Sequence, residues 1–323
     1  MRIVDCLRES LERGEVTLMV AIDFSRAFDM VDVDLLLRKL CALDFLDAAC
    51  AWLRSYLSGQ PQRVVGPRGE LTRPLFRMSG VPQGSLCGPF LFSLFINDLP
   101  SACRHSKYHL YTDDFTIFLS GPASEAEEII SRVNENHARI SAWAVDNGLS
   151  INVRKTQAAW IGSRGFIARM RSVPTSPLIL DGEPINLRNN IKLLGVVLDE
   201  TLSWRAQATT VANRCFVALA RLRRHRDCLP RETRLMLVRS LVFPHLDYGA
   251  GLLADLLREL TTRMERCMNA TLRFVTGIST FDHITPSYVA CGLLKYRRRH
   301  DYLALCLLAS TLRRGGLPAR LTA

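Results

Sequence analysis

The stretch that decides the fold is "YHLYTDDFTIFLS", residues 108–120. Two adjacent carboxylates, Asp113 and Asp114, interrupt a run that is otherwise aromatic and β-branched. Such residues favour strands, so the pattern predicts two short strands that meet at the Asp pair. Aspartate is a common turn residue, whereas a buried charge without a partner is costly. Two hypotheses follow: a plain hairpin turn, or a divalent-metal site that takes a third carboxylate from elsewhere in the chain.

Asp23 is the candidate for that third carboxylate. The segment "EVTLMVAIDFS", residues 15–25, alternates and is rich in Val and Ile, which predicts a strand that ends at Asp23. Asp23 and Asp113 each follow an apolar stretch that we expect in the middle of a sheet. If those strands pair, Asp23, Asp113 and Asp114 converge at one edge. Hard oxygen ligands favour Mg²⁺ or Mn²⁺, and two such ions about 3.5–4 Å apart suit phosphoryl transfer.

The remaining segments predict an α+β fold. Helical segments after Asp23 end at Gly59, and a hairpin is expected around residues 66–69. A Gly/Pro loop then leads into an apolar helix. A long amphipathic helix follows the Asp pair and ends at Gly148, and strands continue to about Asp199. Everything beyond is helical, so the order predicts an α+β core with a helical appendage.

The positive charge is confined to the last third of the chain. Of 323 residues, 42 are Lys or Arg and 31 are Asp or Glu, a net charge of +11. Residues 1–204 carry a net charge of −1, and residues 205–323 carry 20 basic and 8 acidic residues, a net charge of +12. Such a surface is expected to attract nucleic acid. The alternative is a solvated helical surface with no polyanionic partner.

Cysteine spacing and hydropathy exclude several classes of protein. None of the ten cysteines forms a CxxC pair, so neither a zinc site nor a disulfide framework is indicated. No stretch reaches the ~18 apolar residues of a membrane span, and the first residues lack a secretory signal. We therefore expect an intracellular protein with no membrane partner.

Six segments resemble, in order and spacing, the polymerase motifs of one family: the reverse transcriptase domain of non-LTR (LINE-type) retrotransposons, most similar to the jockey-like group. The segments are "AIDFSRAFDMVDVDLLLRKL", "WLRSYLSGQPQRV", "SGVPQGSLCGPFLFSLFINDLP", "YTDD", "WAVDNGLSINVRKTQ" and "KLLGVVLDETLSW". The tail resembles the family in "FPHLDYGAGL" and "FDHITPSYVACGLLKYRRRH". The resemblance implies a right-hand polymerase palm, an antiparallel sheet with helices on one face, followed by an all-helical thumb.

The resemblance also implies a division of the chain into three regions. Residues 1–165 are expected to form the palm with partial fingers, residues 166–204 the primer-grip hairpin region, and residues 205–323 the basic thumb and a C-terminal extension. The upstream fingers and the endonuclease domain of the family are expected to be missing. The chain therefore resembles a piece of a larger element protein.

By position, four residues resemble the catalytic set of the family. Asp23 and Asp113 match its principal metal-binding carboxylates, and Asp114 matches the third. Together they imply two Mg²⁺ (or Mn²⁺) ions. Lys155 matches the lysine that protonates the leaving pyrophosphate, a role that suits a cation beside phosphates; the alternative is an ordinary surface lysine.

Further positions resemble the nucleotide-binding residues of the family. Phe28 matches the aromatic steric gate, whose ring excludes a ribonucleotide 2′-OH; the alternative is a core aromatic. Gln83 and Gly84 match residues that contact the incoming nucleotide and the template, where a glycine permits close backbone approach. The other positions, where backbone N–H groups would face the triphosphate, are Ser25, Arg26 and Ala27.

Leu194 and Gly195, in "KLLGVVLD" before the predicted thumb, resemble the primer grip of the family.

The chain departs from the family in the "YTDD" segment, where Thr112 stands at a position that is usually alanine. This position approaches the primer end, so altered rate or fidelity is expected without loss of metal binding.

The implied function is RNA-directed DNA polymerisation during target-primed reverse transcription. Its partners would be an RNA template, a DNA primer or target and deoxynucleoside triphosphates, in the nucleus or in a cytoplasmic ribonucleoprotein. One alternative is a truncated, non-catalytic relic that only binds nucleic acid. Another is an RNA polymerase, which Phe28 opposes because a ribonucleotide enzyme would need space at that position. A third is a maturase-type relative, which the jockey-like tail opposes.

Overall fold

The computed structural model describes residues 2–77, 79–172, 175–253 and 256–313. It divides into two compact units, residues 2–194 and residues 195 onward. The boundaries expected at 165 and 204 stay predictions. Residues 314–323 of the predicted thumb lie outside the described residues.

The first unit combines helices with antiparallel strands. Its helices are α1 Arg2–Glu12, α2 Ala27–Met30, α3 Val33–Ala42, α4 Asp47–Leu57, α5 Cys87–Phe95, α6 Ala126–Asp146 and α7 Arg164–Ser172. Its strands are β1 Val16–Ile22, β2 Phe24–Ser25, β3 Pro61–Gln62, β4 Leu75–Phe76, β5 Lys107–Tyr111, β6 Asp114–Gly121, β7 Ser150–Ile151, β8 Gln157–Ile161, β9 Leu178–Leu180, β10 Glu183–Ile185 and β11 Asn190–Leu193.

The central sheet has the strand order β5-β6-β1-β8, and its neighbours are antiparallel. Strand β1 lies inside it and is buried at every position except Ala21. This explains why its sequence is almost entirely apolar, since both of its faces are covered. The strand predicted before Asp23 is therefore confirmed.

One expectation about strand pairing is wrong. The strand that precedes the Asp pair, β5, is an edge strand with largely exposed residues, and it does not lie in the middle of the sheet. Strand β1 pairs instead with β6, the strand that follows the Asp pair. The buried run 115–118 on β6 explains this choice, because it can cover β1 whereas β5 cannot.

Helices pack this sheet and close the core of the first unit. On α6, buried Ile129, Val133 and Ile140 recur at helical spacing, and the helix is followed by Gly148 at φ 66°. Helix α5 contributes Phe92 and Phe95, which are fully buried. The predicted amphipathic and apolar helices are thus confirmed.

Helix α7 falls where strands were expected. Its Ile167 and Met170 are buried three residues apart, as a helix requires. The hydroxyl of Ser163 accepts a hydrogen bond from the backbone N–H of Phe166 at 3.4 Å, as an N-cap residue does. This N-cap is the sequence signal that could have revealed the helix.

The second unit is helical apart from one strand, as predicted. Its elements are β12 Val196–Asp199, α8 Arg205–Arg223, α9 Arg231–Leu241, α10 Phe243–Asp247, α11 Arg258–Thr276, α12 Thr285–Ala290 and α13 Tyr296–Arg313. Buried Met264, Met268 and Leu272 place one face of α11 in the core of this unit. The α+β class followed by a helical region is confirmed. Over the described residues, no helix has both the length and the apolarity needed to span a bilayer.

Several arginines of the second unit support its fold. The Arg273 guanidinium donates to the carbonyls of Ser279, Thr280 and Asp282 at 2.9–3.0 Å. Arg299 forms a bidentate, partly buried ion pair with Asp247, with both distances 2.6 Å. Part of the positive charge is therefore committed to internal contacts, and only the remainder is available to a polyanion.

Candidate active site

The Asp pair lies in a β-hairpin. Tyr111 pairs with Asp114, so Thr112 and Asp113 form a two-residue turn between β5 and β6. Thr112 has φ 52°, a conformation that β-branched residues rarely adopt. Its hydroxyl donates to the carbonyl of Tyr111 at 2.7 Å and lies 3.1 Å from Asp113 Oδ1. The two strands that meet at the Asp pair are confirmed. The metal-site hypothesis stays a prediction, and a strained turn is compatible with it because such turns often mark functional positions.

The sheet register brings Asp23 to this hairpin. Ile22 pairs with Phe115, so Asp23 follows that pair on one strand and Asp114 precedes it on the other. Asp23 Oδ2 is buried and has no hydrogen-bond partner among the described residues. The nearest cation, Lys155 Nζ, lies 4.0 Å from it. Burying a carboxylate oxygen without a hydrogen bond lowers the stability of the folded state. A bound cation or a proton at this atom would remove that cost.

Asp23 and Asp114 have raised pKa values. Burial raises the pKa of Asp23, the Lys155 charge opposes this rise, and the Asp113 charge adds to it. Partial burial and then the charges of Asp113 and Asp23 raise the pKa of Asp114. The three groups therefore repel one another, and a bound cation would relieve the repulsion. However, no three His, Cys, Asp or Glu side chains within the described residues are arranged to hold one metal ion.

Most of the predicted site residues line one cleft of about 510 Å³ in the first unit. The predicted residues along it are Asp23, Arg26, Ala27, Phe28, Gln83, Gly84, Asp113 and Lys155. Phe24, Pro82 and Pro89 also line it and were not predicted. Asp114 and Ser25 are not part of this lining, although Ser25 belongs to β2 beside it.

Backbone contacts fix the segment that carries Lys155 to Asp23. The Asn152 N–H donates to the Asp23 carbonyl at 2.7 Å, and the Thr156 hydroxyl accepts from the Asp23 N–H at 3.3 Å. The Lys155 N–H donates to the Asn152 carbonyl at 3.1 Å. The lysine is therefore held at the cleft by its neighbours. Asn152 and Thr156 were not predicted, because nothing in their spacing reveals a contact with Asp23.

Phe28 is both a packing residue and a cleft residue. Its ring stacks on Phe92 with 4.4 Å between centroids and an angle of 20°. It remains half-buried and lines the cleft. Arg26, the N-cap residue of α2, has φ 50°, and this conformation redirects the chain from β2 into the helix that carries Phe28. The core and gate interpretations of Phe28 are therefore compatible.

The loop that carries Gln83 is held against α2. Gln83 Nε2 donates to Asp29 Oδ1 at 2.9 Å. Gly80, at φ 84°, approaches so closely that an added Cβ would lie 2.7 Å from the Asp29 backbone. Only glycine fits this position. Asp29 is a further candidate that the sequence alone did not reveal.

The predicted primer-grip residues lie where the two units adjoin in sequence. Leu194 and Gly195 have φ values of 46° and 81°. A Cβ at position 195 would lie 3.3 Å from the Tyr248 ring, so a small residue is favoured there. Their role in holding a primer stays a prediction.

Comparison with known proteins decides the family. The family model described as "Reverse transcriptase (RNA-dependent DNA polymerase)" matches residues 2–198. The chain belongs to the reverse transcriptase family. Reverse transcriptases generally use divalent metal ions. The predicted resemblance to non-LTR retrotransposon enzymes is also confirmed.

The curated relatives are polymerases of mobile elements. The chain is 27% identical to the "Probable RNA-directed DNA polymerase from transposon BS" of Drosophila melanogaster, over 97% of this chain and 36% of that protein. It is 24% identical to the "RNA-directed DNA polymerase from mobile element jockey" of Drosophila funebris, over 85% of this chain and 30% of that protein. The chain thus spans about a third of the length of these relatives.

Among solved structures, the chain is similar to a telomerase from Candida albicans in complex with a fragment of telomeric RNA. The two are 13% identical, with a TM-score of 0.49 over 94% of this chain and 48% of that chain.

Proposed function

We propose that this reverse transcriptase chain extends the 3′-OH of a DNA primer with deoxynucleotides on an RNA template, as in target-primed reverse transcription. The observation that supports the proposal most directly is the single cleft in which Asp23, Asp113, Lys155, Phe28 and Gln83 meet. Phosphoryl transfer uses carboxylates that hold metal ions together with a cation beside the phosphates, and the Phe28 ring would add selection of the sugar.

The carboxylates would hold two Mg²⁺ or Mn²⁺ ions, which activate the attacking hydroxyl and stabilise the leaving oxygen when bound. Asp23, Asp113 and Asp114 would be the ligands. Two observations support this assignment: the buried Asp23 Oδ2 without a hydrogen bond, and the raised pKa values of Asp23 and Asp114. Hard carboxylate oxygens also match the preference of both ions.

Lys155 would act on the leaving pyrophosphate. In the structure its ammonium lies 4.0 Å from Asp23 Oδ2 and is largely exposed. From this position at the cleft, Lys155 would donate a proton to the pyrophosphate oxygen as the P–O bond breaks.

Phe28 would select the sugar and the adjacent segment would bind the triphosphate. Because the Phe28 ring is fixed against Phe92, it would exclude a 2′-OH by volume. Backbone N–H groups of Ser25, Arg26 and Ala27 would face the phosphates. Gln83 and Gly84 would contact the nucleotide and the template strand.

The second unit would bind the template–primer duplex through phosphates. Its exposed arginines include Arg221, Arg223 and Arg224, at the end of α8. Leu194 and Gly195 would lie against the primer. This activity would place the protein with RNA and DNA, in the nucleus for target-primed synthesis.

The test is primer extension by the purified full chain on an RNA template with Mg²⁺, together with thermal melting with and without Mn²⁺. Wild type should extend the primer, and the metal should raise its melting temperature. Asp23→Asn and Asp113→Asn should abolish extension and lose most of that rise, while folding as well as wild type without metal because repulsion is relieved. An equal metal-induced rise in all three proteins would show that these carboxylates do not bind the metal.

A non-catalytic, nucleic-acid-binding relic is the second candidate. It is supported by one observation: the net charge of +12 over residues 205–323 predicts nucleic-acid binding whether or not the carboxylates hold a metal ion. A relic would bind RNA–DNA hybrid with the salt dependence of phosphate contacts, yet show neither extension nor a metal-induced rise in melting temperature. The same two measurements therefore separate the candidates.

A further inference from the structure

Two cysteines meet at the contact between α3 and α4. Cys41 lies near the end of α3 and Cys50 near the start of α4, and their sulfur atoms are 3.6 Å apart. Cys41 is exposed and Cys50 is buried. Neither residue lines the cleft described above.

The two helices are held so that this proximity is a property of the fold. Leu36, Leu37 and Leu40 bury one side of α3, and Leu53 and Leu57 bury one side of α4.

A second contact fixes the outer side of the pair of helices. Arg54 Nη1 donates to Asp34 Oδ1 at 2.6 Å.

A disulfide needs an S–S distance of about 2.05 Å, so the two sulfur atoms must approach each other by about 1.5 Å from their present separation of 3.6 Å.

We propose that Cys41 and Cys50 are a redox modification site that forms an intramolecular disulfide with a low-molecular-weight disulfide as oxidant. The exposed Cys41 thiolate attacks the oxidant, here glutathione disulfide, and forms a mixed disulfide while one glutathione thiolate leaves. Cys50 then gives up its proton and attacks the Cys41 sulfur, and the second glutathione leaves. The two cysteines lose two electrons in total, and the oxidant takes them up as two molecules of reduced glutathione.

The structure assigns different roles to the two thiols. Burial raises the pKa of Cys50, and the contact with Cys41 adds to this rise. Cys50 is also buried and therefore shielded from the oxidant, whereas the exposed Cys41 is accessible to it. Because Cys50 is already adjacent, its attack is intramolecular and competes strongly with free glutathione. The proposed linkage does not depend on polymerisation.

The sequence permits a direct measurement. Both cysteines lie in one tryptic peptide, residues 40–54, because no Lys or Arg occurs between Lys39 and Arg54. The full chain is reduced, exposed to glutathione disulfide and treated with iodoacetamide, then digested without reductant. In wild type, this peptide should be two hydrogens lighter than the reduced form and carry no label. The linked form should exceed the single glutathione adduct by at least about tenfold.

Variants and a peptide provide the controls. Cys50→Ser, or Cys50→Ala if the serine variant folds poorly, should stop at a glutathione adduct on Cys41. Cys228→Ser removes another exposed cysteine and should behave as wild type. A synthetic peptide of residues 40–54 should close from its adduct at least about tenfold more slowly than the folded chain. Closure no faster than the peptide, or a wild-type adduct as abundant as that of Cys50→Ala, overturns the proposal.

Discussion

Thr112, in the two-residue turn between β5 and β6, has φ 52°, a conformation that β-branched residues disfavour. Thr112→Ala and Thr112→Gly both remove the hydroxyl, but only glycine adopts a positive φ without strain. We therefore expect Thr112→Gly to be more stable than Thr112→Ala by about 1 kcal/mol, the reverse of the order expected in most conformations. Urea denaturation of the two variants measures the difference. A more stable alanine variant would show that the turn is not left-handed at this position.

Phe28 tests the proposed sugar selection. Phe28→Val shortens the side chain in the cleft and opens the space that a 2′-OH needs. Ribonucleotide incorporation should therefore rise relative to deoxynucleotide incorporation in extension assays, by about tenfold or more since a steric contact of 1–3 kcal/mol is removed. Phe92→Leu, which changes the ring behind Phe28, is a control for loss of packing. Unchanged discrimination in a folded Phe28→Val chain would leave Phe28 as a core residue alone.

His137 gives the first unit a pH-dependent stability. Its Nδ1 donates to the Ile179 carbonyl at 2.7 Å, and Nε2 is buried with no hydrogen-bond partner among the described residues. Burial lowers the pKa of His137 to about 4, against about 6.5 in the unfolded chain. The unfolded state therefore binds more protons between these values, and stability falls as the pH drops below about 6.5.

Between pH 7 and pH 5 this histidine should cost the first unit about 2 kcal/mol of unfolding free energy. His137→Gln should be less stable at pH 7 but lose about 2 kcal/mol less over the same range. Denaturant titrations at the two pH values measure both quantities, and His225→Gln, an exposed site, provides the control. Equal pH dependence in wild type and His137→Gln contradicts the assignment.

At the scale of elements, local patterns predicted more than long-range pairing did. Alternation and Val/Ile content placed β1 before Asp23, and glycines marked the helix ends because left-handed conformations need them. We expected β5 to pair with β1, but β6 does. This choice depends on which of the two strands is buried, and sequence spacing does not reveal burial. For the same reason the Asp29–Gln83 contact, which joins residues 54 apart in sequence, could not be foreseen.

The arginines of the helical elements divide into structural and solvent-facing groups. Arg273 donates to three backbone carbonyls after α11, whereas Arg221 is exposed on α8. Arg273→Gln should lower the unfolding free energy by about 1 kcal/mol or more, because three charge-assisted hydrogen bonds that join the end of α11 to the following loop are lost. Arg221→Gln should change it by less than about 0.5 kcal/mol. Denaturant titration of both variants is the measurement, and equal losses would contradict this division.

At the scale of the whole molecule, the charge asymmetry predicts that nucleic acid binds to the second unit. The net charge is +12 over residues 205–323 and −1 over the rest. If the second unit binds phosphates, replacing Arg221, Arg223 and Arg224 with glutamine should weaken binding to any duplex sequence. Each lost phosphate contact should reduce the slope of log K against log salt by about 0.9. The triple variant should therefore lose up to about 2.7 units of slope.

The matched control removes the same charge from the first unit, by replacing Arg38, Arg104 and Arg132, all exposed, with glutamine. Fluorescence anisotropy with a labelled RNA–DNA hybrid at several salt concentrations gives the slopes. Because simple net charge changes equally in both triple variants, only localised contacts predict a larger loss for the second unit. Equal losses would mean that the positive charge attracts nucleic acid without a defined binding surface. The helical unit would then contribute solubility and long-range attraction, and the template–primer would have to be held by the first unit.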